Sequence, residues 1–413
     1  MNWFNDLKWR NLINSITNEE KLNHFDKNKK SLYVGFDPSA SSLHLGNYVM
    51  ILLLRRFKIA GFSPIAVIGG ATGMIGDPSG KSKERNLLDK KTLEQNKLSI
   101  KKQLEKYARC ELIIDNFDFY KDLNFLDFLR DIGKLVNVND VLQKEIVKTR
   151  LETGISYTEF SYNIIQAYDF SKLYKDHDTW LQLGGSDQWG NITAGIEMIR
   201  KMYGDDNHAF GMTFNLLTTS DGKKFGKSEN NAIYLDKNLT SPYQMYQYLI
   251  NQSDSDVIKL LKCLTMLSKE EIENIENEQI NNPSSRCAQN ALADWILTDI
   301  HGIEELNKVK DISKKLFSGD ITNIDSTDLK NALENVPTTF LTEEKYNVVD
   351  LLIALQVAKS KTQARELLST NAIIINGIKI NDETFIINKN DCINKEFVVV
   401  KKGKRNYFVG KWN

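Results

Sequence analysis

At 413 residues the chain exceeds the ~150 residues of a typical domain and has room for two or three. Its 41% hydrophobic and 26% charged residues are ordinary for a globular protein, and its longest apolar run, Val49 to Leu54, stops at Arg55 and Arg56, which excludes a membrane-spanning helix. Lys plus Arg equals Asp plus Glu at 54 each, which excludes an overall basic coat and leaves nucleic-acid contact to local patches.

The start of the chain, with Trp3, Asp6, Lys8 and Trp9, lacks the basic-then-apolar pattern of a secretory leader, so a cytoplasmic address is expected. The first half then alternates short apolar strands with helices. Leu32 to Phe36 reads as a strand, His44 to Phe57 as a helix, and Ile65 to Ile68 as a buried strand entering the turn Gly69-Gly70-Ala71-Thr72-Gly73. Glu111 to Ile114 and Thr179 to Leu183 are two further strands. Such alternation predicts a Rossmann-like α/β fold with a parallel sheet and a ligand site at the carboxyl ends of its strands. From about Ser241 the pattern turns helical, with segments 242–250, 256–267, 269–277 and 284–300. A polar stretch from about Asp320 to Asn347 reads as a linker. Beyond it come an apolar helix, a second helix capped by Ser360, and two strands joined at Asn376-Gly377. The four cysteines, Cys110, Cys263, Cys287 and Cys392, form no metal-binding or paired spacing and read as free thiols.

Two motifs carry chemistry. Tyr33 to Asn47 runs from strand through a hydroxyl-bearing turn to a helix start at His44-Leu45-Gly46-Asn47, where unpaired N–H groups suit phosphate. About 180 residues later, Lys223-Lys224-Phe225-Gly226-Lys227-Ser228 places lysines on a loop able to meet charge on a leaving group. Alone, the first fits an ordinary capped helix and the second a solvated basic loop. Gly76 to Ser82 is a decoy for a phosphate-binding P-loop, because three residues separate its glycines where that loop has four.

Taken in order on an α/β sheet, the two motifs resemble the paired signatures of class I aminoacyl-tRNA synthetases. The blocks Ala71 to Lys81, Tyr162 to Asp169 and Gly184 to Asn191 narrow the resemblance to the bacterial-type tyrosyl-tRNA synthetases, across nearly the whole chain. The resemblance implies a Rossmann-like catalytic domain over 1–220, a lysine loop and α-helical domain contacting the anticodon stem over 221–325, a linker over 326–346, and a small α+β RNA-binding domain over 347–413.

It also implies residue roles. Tyr33 and Asp169 would hold the tyrosine hydroxyl; Asp77, Tyr162 and Gln166 the ammonium; and Gln188 the region of the carboxylate. Gly35, Asp37, Gly185 and Asp187 would surround the adenosine, with Ser39, His44, Gly46 and Asn47 at the phosphates. Lys81, Arg85, Lys224, Lys227 and Ser228 would close on the β- and γ-phosphates, with Mg²⁺ accompanying ATP and no tightly bound cofactor. The partners implied are tyrosine, ATP, the tRNA for tyrosine and a second copy of the chain as a homodimer, with no membrane. Asn47 departs from the family's usual His, and Ser39 and Ser228 stand where Thr is common. At the far end, Lys359, Lys361 and Arg365 would meet RNA phosphates, supported by the basic run Lys401 to Arg405. Two rivals remain: a tryptophanyl-tRNA synthetase, and a related RNA-binding protein without catalysis.

Overall fold

The structure, a computed structural model, describes the chain apart from residues 1, 80–86, 144–146, 149, 151–153, 221, 223, 227–231, 319–323, 325–328, 330–335, 337, 394–395, 404–405 and 413. It divides into two units, one made of 1–240 with 249–300 and the other of 241–248 with 301–413.

The first unit is built on six strands: β1 (Ile13–Ile16), β2 (Ser31–Phe36), β3 (Ser63–Ile68), β4 (Leu112–Asp115), β5 (Thr179–Gly185) and β6 (Phe210–Phe214). Their order is β1-β6-β5-β2-β3-β4, parallel throughout except that β1 pairs antiparallel at one edge. Strands β5 and β6 are buried along their whole length, as expected of a parallel sheet covered on both faces. The chain proceeds from β2 outward to β3 and β4, then returns to place β5 on the other side of β2. The crevice between the carboxyl ends of β2 and β5 is therefore the topological switch point, where open α/β sheets bind ligands.

Two helices border this crevice. One, Leu45–Ile59, begins at His44. The other, Tyr157–His177, is capped by Ser156, whose hydroxyl accepts from Glu159 N at 3.1 Å. Helices Asp254–Leu264, Lys269–Asn281 and Cys287–His301 follow the sheet. They are tied to the first bordering helix by Arg55, which meets Asp299 at 2.6 Å, and by Arg56, which donates to the Thr265 carbonyl; from the N-terminal helix Trp3–Trp9, the capping Arg10 donates to the Lys262 carbonyl at 2.9 Å. The guanidiniums of Arg56 and Arg10 satisfy carbonyls that the end of the helix Asp254–Leu264 leaves unpaired.

The second unit holds a five-stranded sheet and a strand pair. Its strands are β7 (Thr338–Leu341), β8 (Lys345–Asn347), β9 (Ile373–Ile375), β10 (Ile378–Lys379), β11 (Ile386–Asn388), β12 (Phe397–Lys402) and β13 (Asn406–Trp412). The sheet order is β10-β9-β12-β13-β7, and β11 pairs with β8. Leu351, Leu352, Leu368, Ile373, Val398, Val400 and Trp412 lie in its core. The Asn376-Gly377 turn forms as expected, with φ of 46° and 84°, the left-handed pair that a two-residue hairpin requires.

Two expectations change here. The stretch 326–346 contributes β7 and the start of β8 instead of serving only as a linker; β7 pairs in parallel with the distant β13, so nothing local announces it. The run from Lys401 begins inside the sheet, because Lys401 and Lys402 end β12, which pairs antiparallel with β13. Lys401 is buried and Lys402 donates to the Val357 carbonyl at 2.9 Å.

Candidate active site

Strand β2 and the helix Tyr157–His177 bring Tyr33 and Asp169 together at the floor of the crevice. Both are buried, at 2% and 3% exposure. Asp169 accepts from Asn116 Nδ2 at 2.8 Å on one oxygen and from the Tyr120 hydroxyl at 2.6 Å on the other. Burial raises its pKa to about 7 despite these two bonds, which act to lower it. The Tyr33 hydroxyl is buried with no hydrogen-bond partner, and its pKa is raised by burial and then by the charge on Asp169. A buried phenol without a partner is costly unless an incoming group completes it.

Above this floor the carboxylates gather. Asp37 accepts from Thr72 Oγ1 at 2.6 Å and from the Tyr162 hydroxyl at 2.9 Å. Asp77 accepts from Gln188 Nε2 at 2.8 Å and from Ser79 N at 2.9 Å, and Gln166 Nε2 reaches Gln188 Oε1 at 3.4 Å. Burial, then the charges of Asp37 and Asp77, push the Tyr162 hydroxyl well above its ordinary pKa. Asp187, in the turn after β5, is raised by burial and by Asp77, and lowered by Lys224. Several anionic groups around neutral amides and hydroxyls suit a cation such as an ammonium. Gly35 is exposed on β2, and a methyl group added there would meet nothing within 4 Å, so the space over the strand end is open to a ligand.

The structure brings the two chemical motifs into contact. Leu45 N donates to the Ile233 carbonyl at 2.9 Å, and Ile233 N donates to the Gly226 carbonyl at 2.8 Å. A Cβ on Gly226 would lie 2.8 Å from Gly46 N, so the loop backbone rests directly on the helix start. His44 caps that helix: its Nδ1 accepts from Gly46 N at 3.0 Å, while Asn47 Oδ1 accepts from His44 N at 3.1 Å. Asn47 thus acts as a capping-box residue whose oxygen is engaged, while its NH₂ group takes no part in the cap. Ser39 is exposed on the turn after β2, and Gly185 ends β5. Lys81, Arg85, Lys227 and Ser228 lie outside the described residues.

The sequence reading missed Asn116 and Tyr120, which come from a 3₁₀ turn after β4. Asn116 Oδ1 also accepts from Ala71 N at 2.7 Å, linking the glycine-rich turn to the Asp169 carboxyl. Their only sequence signal is position, immediately beyond the carboxyl end of a parallel strand. In the second unit Lys359, Lys361 and Arg365 are exposed around the start of the helix Lys361–Ser369, with Lys361 2.9 Å from Asp350 and Arg365 3.0 Å from Glu383.

Comparisons with known proteins agree with this arrangement. Residues 26–318 match the family model of tRNA synthetases class I (W and Y), and residues 328–409 match the tyrosine–tRNA ligase SYY-like C-terminal domain. The chain is 55% identical over 412 residues to a tyrosine–tRNA ligase of Ureaplasma urealyticum, covering 100% of this chain and 99% of that one. It is 46% identical over 411 residues to one of Geobacillus kaustophilus, covering 98% of each. Among solved structures, a C-terminally truncated mitochondrial tyrosyl-tRNA synthetase of Aspergillus nidulans is similar with a TM-score of 0.69 and 30% identity, over 76% of this chain and 94% of that one. The family match over residues 26–318 and the 46–55% identity to these ligases along nearly the whole chain, on a parallel sheet with its crevice at the switch point, show that the chain belongs to the class I tRNA synthetases of the tryptophan and tyrosine family.

Proposed function

We infer that this chain is a tyrosine–tRNA ligase, which joins tyrosine to ATP as tyrosyl-adenylate and then passes the tyrosyl group to the terminal ribose of its tRNA. The observation that carries the choice of amino acid is the unpartnered Tyr33 hydroxyl lying near the Asp169 carboxyl at the floor of the crevice. A phenol entering there donates to the carboxylate and meets the Tyr33 hydroxyl. Phenylalanine would leave both groups buried and incomplete; sites built for a hydroxyl reject its absence in this way, and tyrosyl-tRNA synthetases are themselves the standard example of that discrimination.

In this reading the substrate ammonium lies among Asp77, Tyr162 and Gln166, with Gln188 beside the carboxylate. Tyr162 offers its oxygen lone pair, since its proton points to Asp37. The adenosine lies over Gly35 and beside Asp37, Gly185 and Asp187, and the phosphates meet Ser39, His44, Gly46 and Asn47. The tyrosine carboxylate is already a nucleophile and attacks the α-phosphorus as the bond to pyrophosphate breaks, so positioning and charge stabilisation supply the rate. Lys224, with Lys81, Arg85, Lys227 and Ser228, offsets charge on the departing pyrophosphate, and Mg²⁺ enters as the nucleotide's own counterion. A ribose hydroxyl of the tRNA then attacks the tyrosyl carbonyl and AMP leaves.

We further propose that the chain works in the cytoplasm as a homodimer, and that Lys359, Lys361 and Arg365 contact tRNA phosphates. The segment 125–157 supports the dimer with four large apolar side chains left exposed, Phe125, Leu126, Val138 and Tyr157. The test of the activity is amino-acid-dependent exchange of pyrophosphate into ATP, without tRNA, with tyrosine, tryptophan and phenylalanine in parallel. Exchange is expected with tyrosine alone. Exchange with tryptophan would overturn the substrate, and none from folded protein would favour a non-catalytic RNA-binding role.

A further inference from the structure

The Asp169 carboxyl is held from both sides by one short element. The 3₁₀ turn Asn116–Phe119 ends at Tyr120, and these positions, four apart, reach opposite oxygens of the same carboxyl: Asn116 Nδ2 at 2.8 Å and the Tyr120 hydroxyl at 2.6 Å. The Tyr120 oxygen also lies 2.8 Å from the Ile165 carbonyl oxygen. It has one proton for two acceptors. An oxygen 2.6 Å from a carboxylate oxygen is stable only with a proton between them, and that separation is typical of a charge-assisted O–H···O⁻ bond. The proton therefore belongs chiefly to the bond with Asp169. Each carboxylate oxygen accepts one bond from the protein and has a lone pair left.

We propose that Tyr120 is a positioning residue for amino-acid recognition: its hydroxyl fixes the Asp169 carboxyl in place and in its anionic form, so that a remaining lone pair accepts the proton of the substrate phenol while Tyr33 completes the contact. This rests on the reading of Asp169 and Tyr33 as the phenol site. Tyr120 itself reaches the substrate only through Asp169.

The electrostatics around the carboxyl give the proposal a distinctive signature. Asp169 is faced by Tyr33 and Asp37 from β2 and its turn, by Asp115 from the end of β4, by Tyr162 and Tyr168 from its own helix, and by Asn116 and Tyr120 from the 3₁₀ turn. Burial raises the Asp169 pKa to about 7, the charges of Asp37 and Asp115 add to the rise, and the Tyr120 and Asn116 bonds oppose it. Removing the Tyr120 hydroxyl must shift the carboxyl further toward its protonated form, which is a poorer acceptor for a phenol proton.

The test is Tyr120→Phe, which keeps the ring and removes only the hydroxyl. For wild type and variant, kcat/KM for tyrosine is measured by pyrophosphate exchange from pH 5.5 to 8.5 at saturating ATP, together with the KM for ATP. The wild-type value is expected to fall as pH drops through about 7. The variant's fall should begin at higher pH; a shift of one pKa unit gives about a tenfold loss below both limbs and none on the alkaline plateau. The KM for ATP should not change. An unshifted limb overturns the role of Tyr120, and so does an equal loss at every pH, which a packing defect would give. Absence of any acidic limb in the wild type overturns the reading of Asp169 itself, a separate outcome.

Discussion

Gly226 adopts φ +85°, a conformation that side chains strain to reach, and a Cβ there would lie 2.8 Å from Gly46 N. Gly226→Ala is therefore expected to lift the lysine loop off the helix start. Its chemical consequence should exceed its structural one: pyrophosphate exchange should fall at least tenfold, while the melting temperature drops by only a few degrees, about 1–2 kcal/mol for one residue held in a strained backbone conformation. Measuring both on one preparation decides the matter, since unchanged exchange would show that the contact is dispensable. Asp169 illustrates a different conflict between stability and use. Its pKa is raised from 3.8 to about 7, so the folded chain binds the proton more tightly than the unfolded one; the resulting stabilisation is complete below the ordinary value and is lost as pH rises through about 7. The groups inside the motif blocks, among them Tyr33, Asp77, Gln166, Asp169 and Gln188, were legible because a family resemblance covers them. Asn116 and Tyr120 were not, because only the folding of a 3₁₀ turn against a helix fifty residues later makes their side chains meet Asp169.

At the level of elements, strands β2 to β5 were legible as short runs rich in apolar residues, whereas β1 and β6 were not. β1 is a half-buried antiparallel edge, and β6 interrupts its apolar run with Gly211 and Thr213. The helix Lys361–Ser369 was also legible, since Ser360 accepts from Gln363 N at 3.2 Å as a cap should. Its exposed cations already have carboxylate neighbours, and such surface pairs stabilise little, so they remain exchangeable for phosphates. The variant carrying Lys359→Ala, Lys361→Ala and Arg365→Ala is expected to charge tRNA less well and with a weaker salt dependence, the slope falling by about three. Pyrophosphate exchange should stay at the wild-type level. A salt slope equal to that of the wild type would remove these residues from the RNA contact.

At the level of the molecule, Phe125, Leu126, Val138 and Tyr157 are each exposed, and the proposed dimer is expected to cover them. Sedimentation should give twice the chain's 47.3 kDa, and Phe125→Glu with Leu126→Glu should give that mass once. A wild-type protein that sediments as a single chain at micromolar concentration would refute the dimer. The Asn376-Gly377 hairpin bears on another property, chemical lifetime. Asparagine before glycine is the pair most prone to lose its amide, because the following backbone nitrogen can attack the side-chain carbonyl. Here that carbonyl accepts from Val399 N at 2.8 Å, the NH₂ group donates to the Asp391 carbonyl at 3.0 Å, and the residue is buried. Folding therefore guards this asparagine against ageing, and a chain that had aged before folding would bring a carboxylate oxygen against the Asp391 carbonyl, spoiling the very turn that joins β9 to β10.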